Sequence, residues 1–216
     1  MELTTITNIF PNPYVMKCIL LGRHSSGKST LANVLQVGVF DPAISPTIGM
    51  DFATILIKIG EQNIRLQIWD SAGQERFRDS IVATYVRDAH LAFIVFDITC
   101  RESWEDIINW KKLLDKQQYK VYPRLVLVGT KTDIPDHVVA IEEIQAKAKE
   151  WNCNYYVLSS KQTNSQNMIH RMFSLESELL HKKFLRLVVE NKELPPGIFS
   201  QKKAIISEKI SVCCHQ

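Results

Sequence analysis

Short apolar runs alternate along this chain with segments of helical periodicity. Four apolar runs predict buried parallel strands, at residues 14–21, 91–96, 124–128 and 155–158. Two segments in which apolar and polar residues alternate, 52–59 and 64–70, predict a hairpin across Gly60-Glu61-Gln62. Helical periodicity is found over residues 29–35, 103–115, 141–150 and 167–189.

Strands that alternate with helices predict an α/β protein. We expect a doubly wound, mostly parallel six-stranded sheet with helices on both faces and ligands at the carboxyl ends of the strands. The run Leu194-Pro195-Pro196-Gly197 predicts the end of the last helical region. The chain therefore divides into an N-terminal extension (1–13), one folded domain (14–190) and a flexible basic tail (191–216).

The chain has 216 residues and a formal net charge of +3, which is distributed unevenly. From His181 onward there are seven Lys or Arg and three Glu, whereas the preceding residues include 19 basic and 20 acidic side chains. A near-neutral body with a basic tail favours an acidic surface such as a membrane leaflet over nucleic acid as the partner. The hydrophobic content of 45% can fill one sizeable core.

The five cysteines do not indicate a disulfide framework in a chain of this length. We expect Cys18, Cys100 and Cys153 to be small apolar fillers. The first residues lack the pattern of a signal peptide, and no run reaches the roughly 18 apolar residues of a membrane span. The composition therefore predicts a protein of the reducing cytosol.

Residues 22–29, GRHSSGKS, follow the first predicted strand and fit the phosphate-binding pattern G-x-x-x-x-G-K-S. Gly22 and Gly27 allow the tight turn that directs backbone N–H groups at a polyphosphate. Lys28 can reach the β- and γ-phosphates, and the Ser29 hydroxyl can bind Mg²⁺. A helix that begins near Lys28 adds the positive end of its dipole. This segment, called the phosphate loop below, predicts nucleotide binding.

Further motifs follow the predicted strands in an order that narrows the class. Thr47 precedes a strand and can give Mg²⁺ a second hydroxyl. In DSAGQE, at residues 70–75, Asp70 can hold a water of the Mg²⁺ shell and the Gly73 N–H can meet a γ-phosphate. In TKTD, at 130–133, Asp133 can accept two N–H groups from guanine, and SSK at 159–161 offers a backbone N–H to guanine O6. Each motif alone is weak, but together they indicate a guanine nucleotide site.

The order and the sequences of these motifs resemble those of the small GTPases, and within them the Rab family. The resemblance covers residues 14–180, with Rab-like wording in IGMDF at 48–52, RLQIWD at 65–70 and QERFR at 74–78. The last residues, CCHQ, resemble a Rab ending in which two cysteines, here Cys213 and Cys214, receive geranylgeranyl groups. Accidental thiols and a metal clip are the alternatives for this pair. The resemblance implies the fold of the small G proteins.

The resemblance also implies roles for individual residues. Those that would bind GTP or GDP are Gly22, Ser25, Ser26, Gly27, Lys28, Ser29, Thr30, Phe40, Thr47, Asp70, Gly73, Thr130, Lys131, Asp133, Ser159, Ser160 and Lys161. Ser29, Thr47 and, through water, Asp70 would bind Mg²⁺. Gln74 would orient the attacking water, with Lys28 and Thr47 as the other catalytic residues. Lys131 would lay its stem over the base, and Phe40 would stack near its other edge.

The implied function is a GTP-controlled switch in vesicle-mediated membrane traffic that hydrolyses GTP slowly to GDP and phosphate. Phe52, Trp69 and Tyr85 match Rab surface aromatics that effectors contact, with core packing as the alternative for these residues. Further implied partners are an exchange factor, a GTPase-activating protein and a GDP-dissociation inhibitor. The resemblance implies a monomer in the cytoplasm that cycles onto the cytoplasmic face of endomembranes (Golgi, endosome or vesicle) through its prenylated tail.

Several positions depart from the family pattern. The guanine motif begins with Thr130 instead of Asn, so we expect one or two hydrogen bonds to be lost, which lowers affinity by roughly 5- to 150-fold. His24 and Ser25 stand where small residues are usual, with Gly at the latter. We expect His24 to crowd the space of Gln74 and an incoming arginine, and Ser25 to constrain the backbone. Ile44 replaces an aromatic, and one extra residue lies near Asp79.

Three functional hypotheses are compatible with these residues. The first is an active Rab-like GTPase, and the second is a GTP-binding scaffold or effector-recruiting module with little or no hydrolysis. His24, Ser25 and Thr130 favour the second. The third is a different P-loop enzyme such as a nucleoside kinase, against which Asp133, residues 159–161 and the cysteines of the tail argue.

Overall fold

A computed structural model describes residues 12–43, 47, 50–71 and 85–198 of the chain. The strands are β1 (Tyr14–Leu21), β2 (Met50–Ile59), β3 (Gln62–Ser71), β4 (Leu91–Asp97), β5 (Arg124–Thr130) and β6 (Asn154–Val157). The helices are α1 (Lys28–Val37), α2 (Arg101–Glu105), α3 (Ile107–Asp115), α4 (Ile141–Glu150) and α5 (Ser165–Val189). None of the helices in this part of the chain combines the length and the apolar character needed to cross a membrane.

The strands form one six-stranded sheet in the order β2-β3-β1-β4-β5-β6. The pair β2–β3 is antiparallel, and the other neighbours are parallel. The predicted hairpin is therefore confirmed, with Ile59 opposite Gln62. The predicted fold class is also confirmed.

Two apolar layers cover the sheet because its central strands are buried on both faces. All seven residues of β4 are buried, as expected of a central parallel strand. On one face, α1 and α5 contribute Leu31 and Phe173 to the core. On the other face, α3 and α4 contribute Trp110 and Ile144. This double cover leaves the ends of the sheet as the places where loops can form a site.

Most predicted boundaries differ from the structure by one or two residues, and one predicted helix is divided. The predicted helix at 103–115 is two helices, α2 and α3, which meet at Asp106. The Asp106 carboxylate accepts a hydrogen bond from Asn109 Nδ2 at 2.8 Å, in the first turn of α3. The last strand spans Asn154–Val157, one residue earlier than the predicted 155–158.

The chain folds back on the domain after α5. Asn191, which follows the end of α5, has a φ of 56°, in the left-handed region. Pro195 and Ile198 are buried, and His90 Nε2 lies 2.9 Å from the carbonyl oxygen of Pro196. Residues 191–198, called the C-terminal strap below, are thus ordered against the core, although the sequence predicts a flexible tail from residue 191. The remainder of the predicted tail and most of the N-terminal extension lie outside the described residues.

Candidate nucleotide-binding site

One cleft of about 580 Å³ lies where β1, β5 and β6 end, as expected for this kind of sheet. Its volume falls within the roughly 300–1,000 Å³ of small-molecule sites. The predicted site residues that line it are Ser25, Gly27, Lys28, Ser29, Thr30, Phe40, Thr47, Thr130, Lys131, Asp133, Ser159, Ser160 and Lys161. The fold therefore brings together residues that lie more than a hundred positions apart in the sequence.

The two glycines of the phosphate loop are required by its geometry. Gly22 has a φ of 143°, and a Cβ at this position would lie 2.1 Å from the carbonyl oxygen of Val95. Gly27 has a φ of 96° and immediately precedes α1. Between them, Ser25 adopts a φ of 59°, which L residues other than Gly rarely adopt. The sequence prediction that Ser25 occupies a backbone conformation favourable to Gly is therefore confirmed.

Lys28 lies beneath the phosphate loop with its ammonium group at the cleft. Its side chain is almost fully buried, and Nζ donates to the carbonyl oxygens of Gly22 at 2.9 Å and Arg23 at 2.8 Å. A buried ammonium carries a large desolvation cost, which an anion in the cleft would offset. The position of Lys28 suits a polyphosphate.

Ser29, Thr47 and Asp70 form a cluster of oxygens beside the cleft. The hydroxyl oxygens of Ser29 and Thr47 are 2.7 Å apart, and Thr47 donates to Asp70 Oδ2 at 3.1 Å. The pKa of Asp70 is raised, mainly because the carboxyl group is buried. Hydrogen bonds from Ser29 and Thr47 and the charge of Lys28 offset only part of this increase. Asp70 Oδ1 is buried and has no hydrogen-bond partner among the described residues.

This cluster fits Mg²⁺. Mg²⁺ takes oxygen ligands, keeps several waters, and is usually held through one or two carboxylates together with substrate phosphates. The hydroxyls of Ser29 and Thr47 are suitable ligands, and the unpaired Oδ1 of Asp70 can accept a hydrogen bond from a metal-bound water. No group of three or more His, Cys, Asp or Glu able to hold a metal occurs within the described ranges.

Asp133 is held as an anion at the other end of the cleft. Ser159 Oγ donates to its Oδ1 at 2.5 Å, and this hydrogen bond is the main reason why the pKa of Asp133 is lowered. Lys161 Nζ lies 3.7 Å from Oδ2 and 5.6 Å from the centroid of the Phe40 ring. An ionised carboxylate can accept two N–H groups from a flat base.

The side chains of Thr130 and Lys131 both have partners within the domain. Lys131 Nζ pairs with Asp97 Oδ2 at 2.7 Å, so this ammonium is tied to the end of β4. The Thr130 hydroxyl is buried and lies 2.7 Å from the carbonyl oxygen of Ser26 and 3.1 Å from that of Phe96. Thr130 is therefore satisfied by the backbone, including the phosphate loop itself.

The three predicted effector-contact aromatics do not form one exposed surface. Phe52 is 54% exposed and Trp69 is half-buried, with their ring centroids 5.7 Å apart. Tyr85 is only 2% exposed, so its prediction as a surface residue is wrong for this structure. Its hydroxyl is held by the backbone of Leu20 and by the carbonyl oxygen of Trp69, which draws the ring into the core.

Several residues near the cleft were missed by the sequence analysis. Asp41, Pro42 and Ile134 line it, and their neighbours in sequence, Phe40 and Asp133, were the available signal. Asp97, which pairs with Lys131, stands at the carboxyl end of β4, where ligands of such sheets are found.

The structure leaves other predicted residues undescribed or outside the cleft. Gly73, Gln74, Cys213 and Cys214 lie outside the described residues. Three predicted residues do not line the cleft but contact residues that do: Gly22, Ser26 and Asp70.

A phosphate loop, a hydroxyl–carboxylate cluster and a carboxylate at the base end define a P-loop nucleotide-binding protein. The sequence pattern of the Ras family matches residues 17–179. The chain is 34% identical over 188 residues to the Ras-related protein Rab-30 of Homo sapiens, and equally to those of Bos taurus and Mus musculus. Each match covers 85% of this chain and 90% of the relative.

The chain therefore belongs to the Ras family of small GTPases, and within it to the Rab family. The resemblance noted from the sequence motifs is confirmed. Proteins of this family bind GTP and GDP with Mg²⁺ and act as GTPase switches. The nucleoside kinase hypothesis is set aside by this assignment.

Proposed function

We propose that this chain is a GTP- and GDP-binding switch that uses Mg²⁺, hydrolyses GTP slowly and regulates vesicle-mediated membrane traffic. One observation carries the proposal: a buried cation, an oxygen cluster and a further carboxylate are arranged along or beside one cleft. These are Lys28, the Ser29–Thr47–Asp70 cluster and Asp133. The distribution suits a ligand with a polyphosphate at one end and guanine at the other.

Hydrolysis in such a site is mainly positioning and charge neutralisation. Lys28 and the N–H groups of the phosphate loop offset the charge on the β- and γ-phosphate oxygens. Mg²⁺ adds further positive charge there when it is bound. Ser29 and Thr47 present hydroxyl oxygens for the metal, and Asp70 accepts a hydrogen bond from one of its waters. Gln74 is assigned the alignment of the attacking water.

The switch depends on contacts that only GTP makes. With Mg²⁺ and GTP bound, the Thr47 hydroxyl would hold the metal and the Gly73 N–H would donate to the γ-phosphate, and both contacts would be lost after hydrolysis. We assign effector recognition to Phe52 and Trp69. An exchange factor, a GTPase-activating protein and a GDP-dissociation inhibitor complete the cycle. A GTPase-activating protein would supply an arginine to the site, and such an arginine accelerates hydrolysis in Ras-type proteins by roughly 10³–10⁵-fold.

Lys28→Ala tests the proposal directly. Because the substitution removes the buried phosphate cation, we expect the affinity for GDP to fall by roughly 100-fold or more. The measurement is a titration with a fluorescent GDP analogue in the presence of Mg²⁺. Lys58→Ala, at an exposed position of β2, is the matched control and should bind like the wild type. Equal binding by Lys28→Ala and the wild type would contradict the assignment of the cleft.

A second candidate function is a GTP-bound scaffold that recruits effectors with little hydrolysis. It is favoured because His24 and Ser25 both line the cleft. Single-turnover GTP hydrolysis with and without a GTPase-activating protein separates the two functions. If the scaffold is correct, His24→Gly combined with Ser25→Gly should leave binding intact and raise stimulated hydrolysis. A rate that stays flat would remove the support for this candidate.

Membrane attachment is proposed to depend on geranylgeranyl groups at Cys213 and Cys214. One lipid chain gives only marginal binding, whereas two give stable attachment, and basic residues near an anionic leaflet add up to about 1 kcal/mol each. Cell fractionation of a Cys213→Ser, Cys214→Ser double variant should find it in the cytosol and still able to bind GTP. Cys153→Ser is the control and should fractionate like the wild type. A double variant that stays on membranes would refute this attachment.

A further inference from the structure

The C-terminal strap begins with a defined motif that ends α5. Asn191 has a φ of 56°, and its N–H donates to the carbonyl oxygen of Val188 at 3.1 Å. The N–H of Lys192 donates to the carbonyl oxygen of Leu187 at 2.8 Å. This pair of hydrogen bonds around a left-handed residue is a Schellman motif. Asn tolerates the left-handed region, so the sequence itself directs the chain out of the helix at this point.

A second local motif shapes the end of the strap, at Pro195-Pro196-Gly197-Ile198. The N–H of Ile198 donates to the carbonyl oxygen of Pro195 at 3.3 Å, and Gly197 has a φ of 80°. Pro at the second position and Gly with a positive φ at the third are the signature of a type II β-turn. Because the two prolines restrict the unfolded chain, less conformational entropy is lost when the turn forms.

Apolar burial and one hydrogen bond hold this turn against the domain. Pro195 is buried, and Ile198 is 5% exposed within the core on the α5 side of the sheet. The carbonyl oxygen of Pro196 lies 2.9 Å from His90 Nε2. The His90 ring in turn packs edge-on against Phe184 of α5, with ring centroids 6.0 Å apart. The strap is therefore seated on residues of the folded domain.

An ion pair also reaches the strap but contributes less. Lys120 Nζ lies 3.1 Å from Glu193 Oε2, and both side chains are more than half exposed. Exposed pairs of this kind contribute little to stability. The contacts that decide whether the strap is seated are therefore those of the type II turn.

The seated strap determines where the chain leaves the domain. Pro196 contacts His90, the residue immediately before β4, so the strap ends at the amino end of the sheet, opposite the cleft. Cys213 lies 15 positions after Ile198 and 22 after Asn191. An extended chain spans at most about 3.3–3.6 Å per residue. The reach to Cys213 is thus at most about 50–54 Å from Ile198 and about 73–79 Å from Asn191.

We propose that the C-terminal strap is a latch that sets how far the domain can extend from a membrane to which Cys213 and Cys214 are attached. The latch is closed when the type II turn is seated against His90 and the core, and open when these contacts are lost. Opening adds residues 192–198 to the tether and lengthens its maximum reach by about half. The effect on reach rests on the proposed attachment, whereas closure of the latch rests on contacts within the domain alone.

Hydrogen exchange of the full chain, followed by mass spectrometry, tests whether the latch is closed. Gly197→Val places a β-branched side chain at a φ of 80° and should accelerate exchange over residues 191–198 by about 5- to 30-fold. Gly197→Asn is the matched control, because Asn is accepted at this turn position, and should stay within about 3-fold of the wild type. Equal exchange in the wild type and Gly197→Val would overturn the latch.

Optical tweezers that hold the full chain by its two ends measure the length that the latch stores. We expect the wild type to lengthen by up to about 25 Å in one step before the domain unfolds. Ile198→Asp buries a charge, so its strap should be open without force and the step should be absent. Ile206→Asp, further along the chain, is the control and should keep the step. A wild type without the step, or a step at the same force in Ile198→Asp, would overturn the proposal. If Ile198→Asp does not fold, Gly197→Val should release its strap at a lower force.

The effect on reach is measured with the geranylgeranylated chain on lipid vesicles. Energy transfer from a fluorescent GDP analogue to an acceptor lipid should be weaker for Ile198→Asp than for Ile206→Asp, because the open tether lets the domain extend further. Equal transfer would refute the role of the latch in reach. A wild-type chain that does not bind the vesicles would instead refute the proposed attachment and, with it, the effect on reach, while exchange and the length step still decide whether the latch exists.

Discussion

The hydroxyl oxygens of Ser29 and Thr47 lie 2.7 Å apart, although one belongs to the start of α1 and the other to the segment before β2. Asp70, at the end of β3, accepts a hydrogen bond from Thr47 at 3.1 Å. Three separate parts of the chain therefore converge on one set of oxygens. A divalent cation at this point would join the phosphate loop to the segment that contains Thr47. The nucleotide state could thereby be read on the surface of the domain.

Ser29→Ala should uncouple GDP binding from Mg²⁺. Mg²⁺ and GDP should each strengthen the binding of the other, typically by about 5- to 150-fold in coupled systems. Chelation of Mg²⁺ should therefore accelerate GDP release from the wild type. The variant lacks a metal ligand, and its release should already be fast and little changed by EDTA. Stopped-flow release of a fluorescent GDP analogue provides the measurement. Ser174→Ala, on α5, should retain the response to EDTA, and a similar response in Ser29→Ala would remove Ser29 from the metal site.

Asp133→Asn should change the preferred base from guanine to xanthine. Ser159 donates to Asp133 Oδ1, so the amide oxygen of the variant should keep that position and turn its NH₂ toward the base. An NH₂ group there repels the N–H groups of guanine and suits the C2 carbonyl of xanthine, with an expected shift of roughly 5- to 150-fold. Competition between GDP and XDP measures the shift. Asp136→Asn, at an exposed position nearby, is the control and should leave the preference for GDP unchanged. If Asp133→Asn also prefers GDP, Asp133 is not the residue that recognises the base.

The sheet could be predicted because its signals are local. β1, β4 and β5 are continuous apolar runs, and β2 and β3 alternate, so length and period identify the strands. The break between α2 and α3 escaped the same analysis. Apolar residues continue at helical spacing through it, from Trp104 to Ile107 and Trp110. The spacing of apolar residues shows which face of a segment is buried. It does not reveal a break in the helix when the apolar residues on both sides of the break lie on the same face.

The phosphate loop was predictable for the same reason, since its residues lie within one short segment. Contacts between distant residues were not. The Thr130 hydroxyl meets Ser26, 104 positions away, and the Tyr85 hydroxyl meets Leu20, 65 positions away. Residue type alone does not reveal such partners, so the sequence predicts lost hydrogen bonds at Thr130 and a surface position for Tyr85.

Ser25→Gly should stabilise the domain. A side chain in the left-handed region costs about 1–2 kcal/mol, and the extra flexibility of Gly in the unfolded chain offsets about 0.5–1 kcal/mol of the gain. We therefore expect a net increase of up to about 1.5 kcal/mol, or roughly 3–6 °C in the melting temperature. Thermal unfolding with saturating GDP measures it. Ser174→Gly, inside α5, should have the opposite effect, and a destabilised Ser25→Gly would show that the φ of 59° is not strained.

His90 should make the stability of the domain depend on pH. Its Nδ1 accepts the backbone N–H of Lys17 at 2.8 Å, so Nε2 carries the proton and donates to Pro196 in the C-terminal strap. Burial lowers the pKa of His90 from 6.5 to about 4, with a further small decrease from Lys17 against increases from Pro196 and Asp88. Between these values the unfolded chain binds the proton that the folded domain excludes. The stabilisation is therefore complete above pH 6.5 and is lost as the pH falls toward about 4.

His90→Gln isolates this contribution, because the amide can still donate to Pro196 but does not titrate. Between pH 7.5 and pH 5 the wild type should lose about 2 kcal/mol more unfolding free energy than His90→Gln, since the other titrating groups are common to both proteins. Urea unfolding at the two pH values, with GDP and Mg²⁺ held at the same saturation, measures the difference. His137→Gln, at an exposed position, should follow the wild type. Equal losses in the wild type and His90→Gln would mean that His90 is protonated in the folded domain and that its bond with the strap is arranged differently.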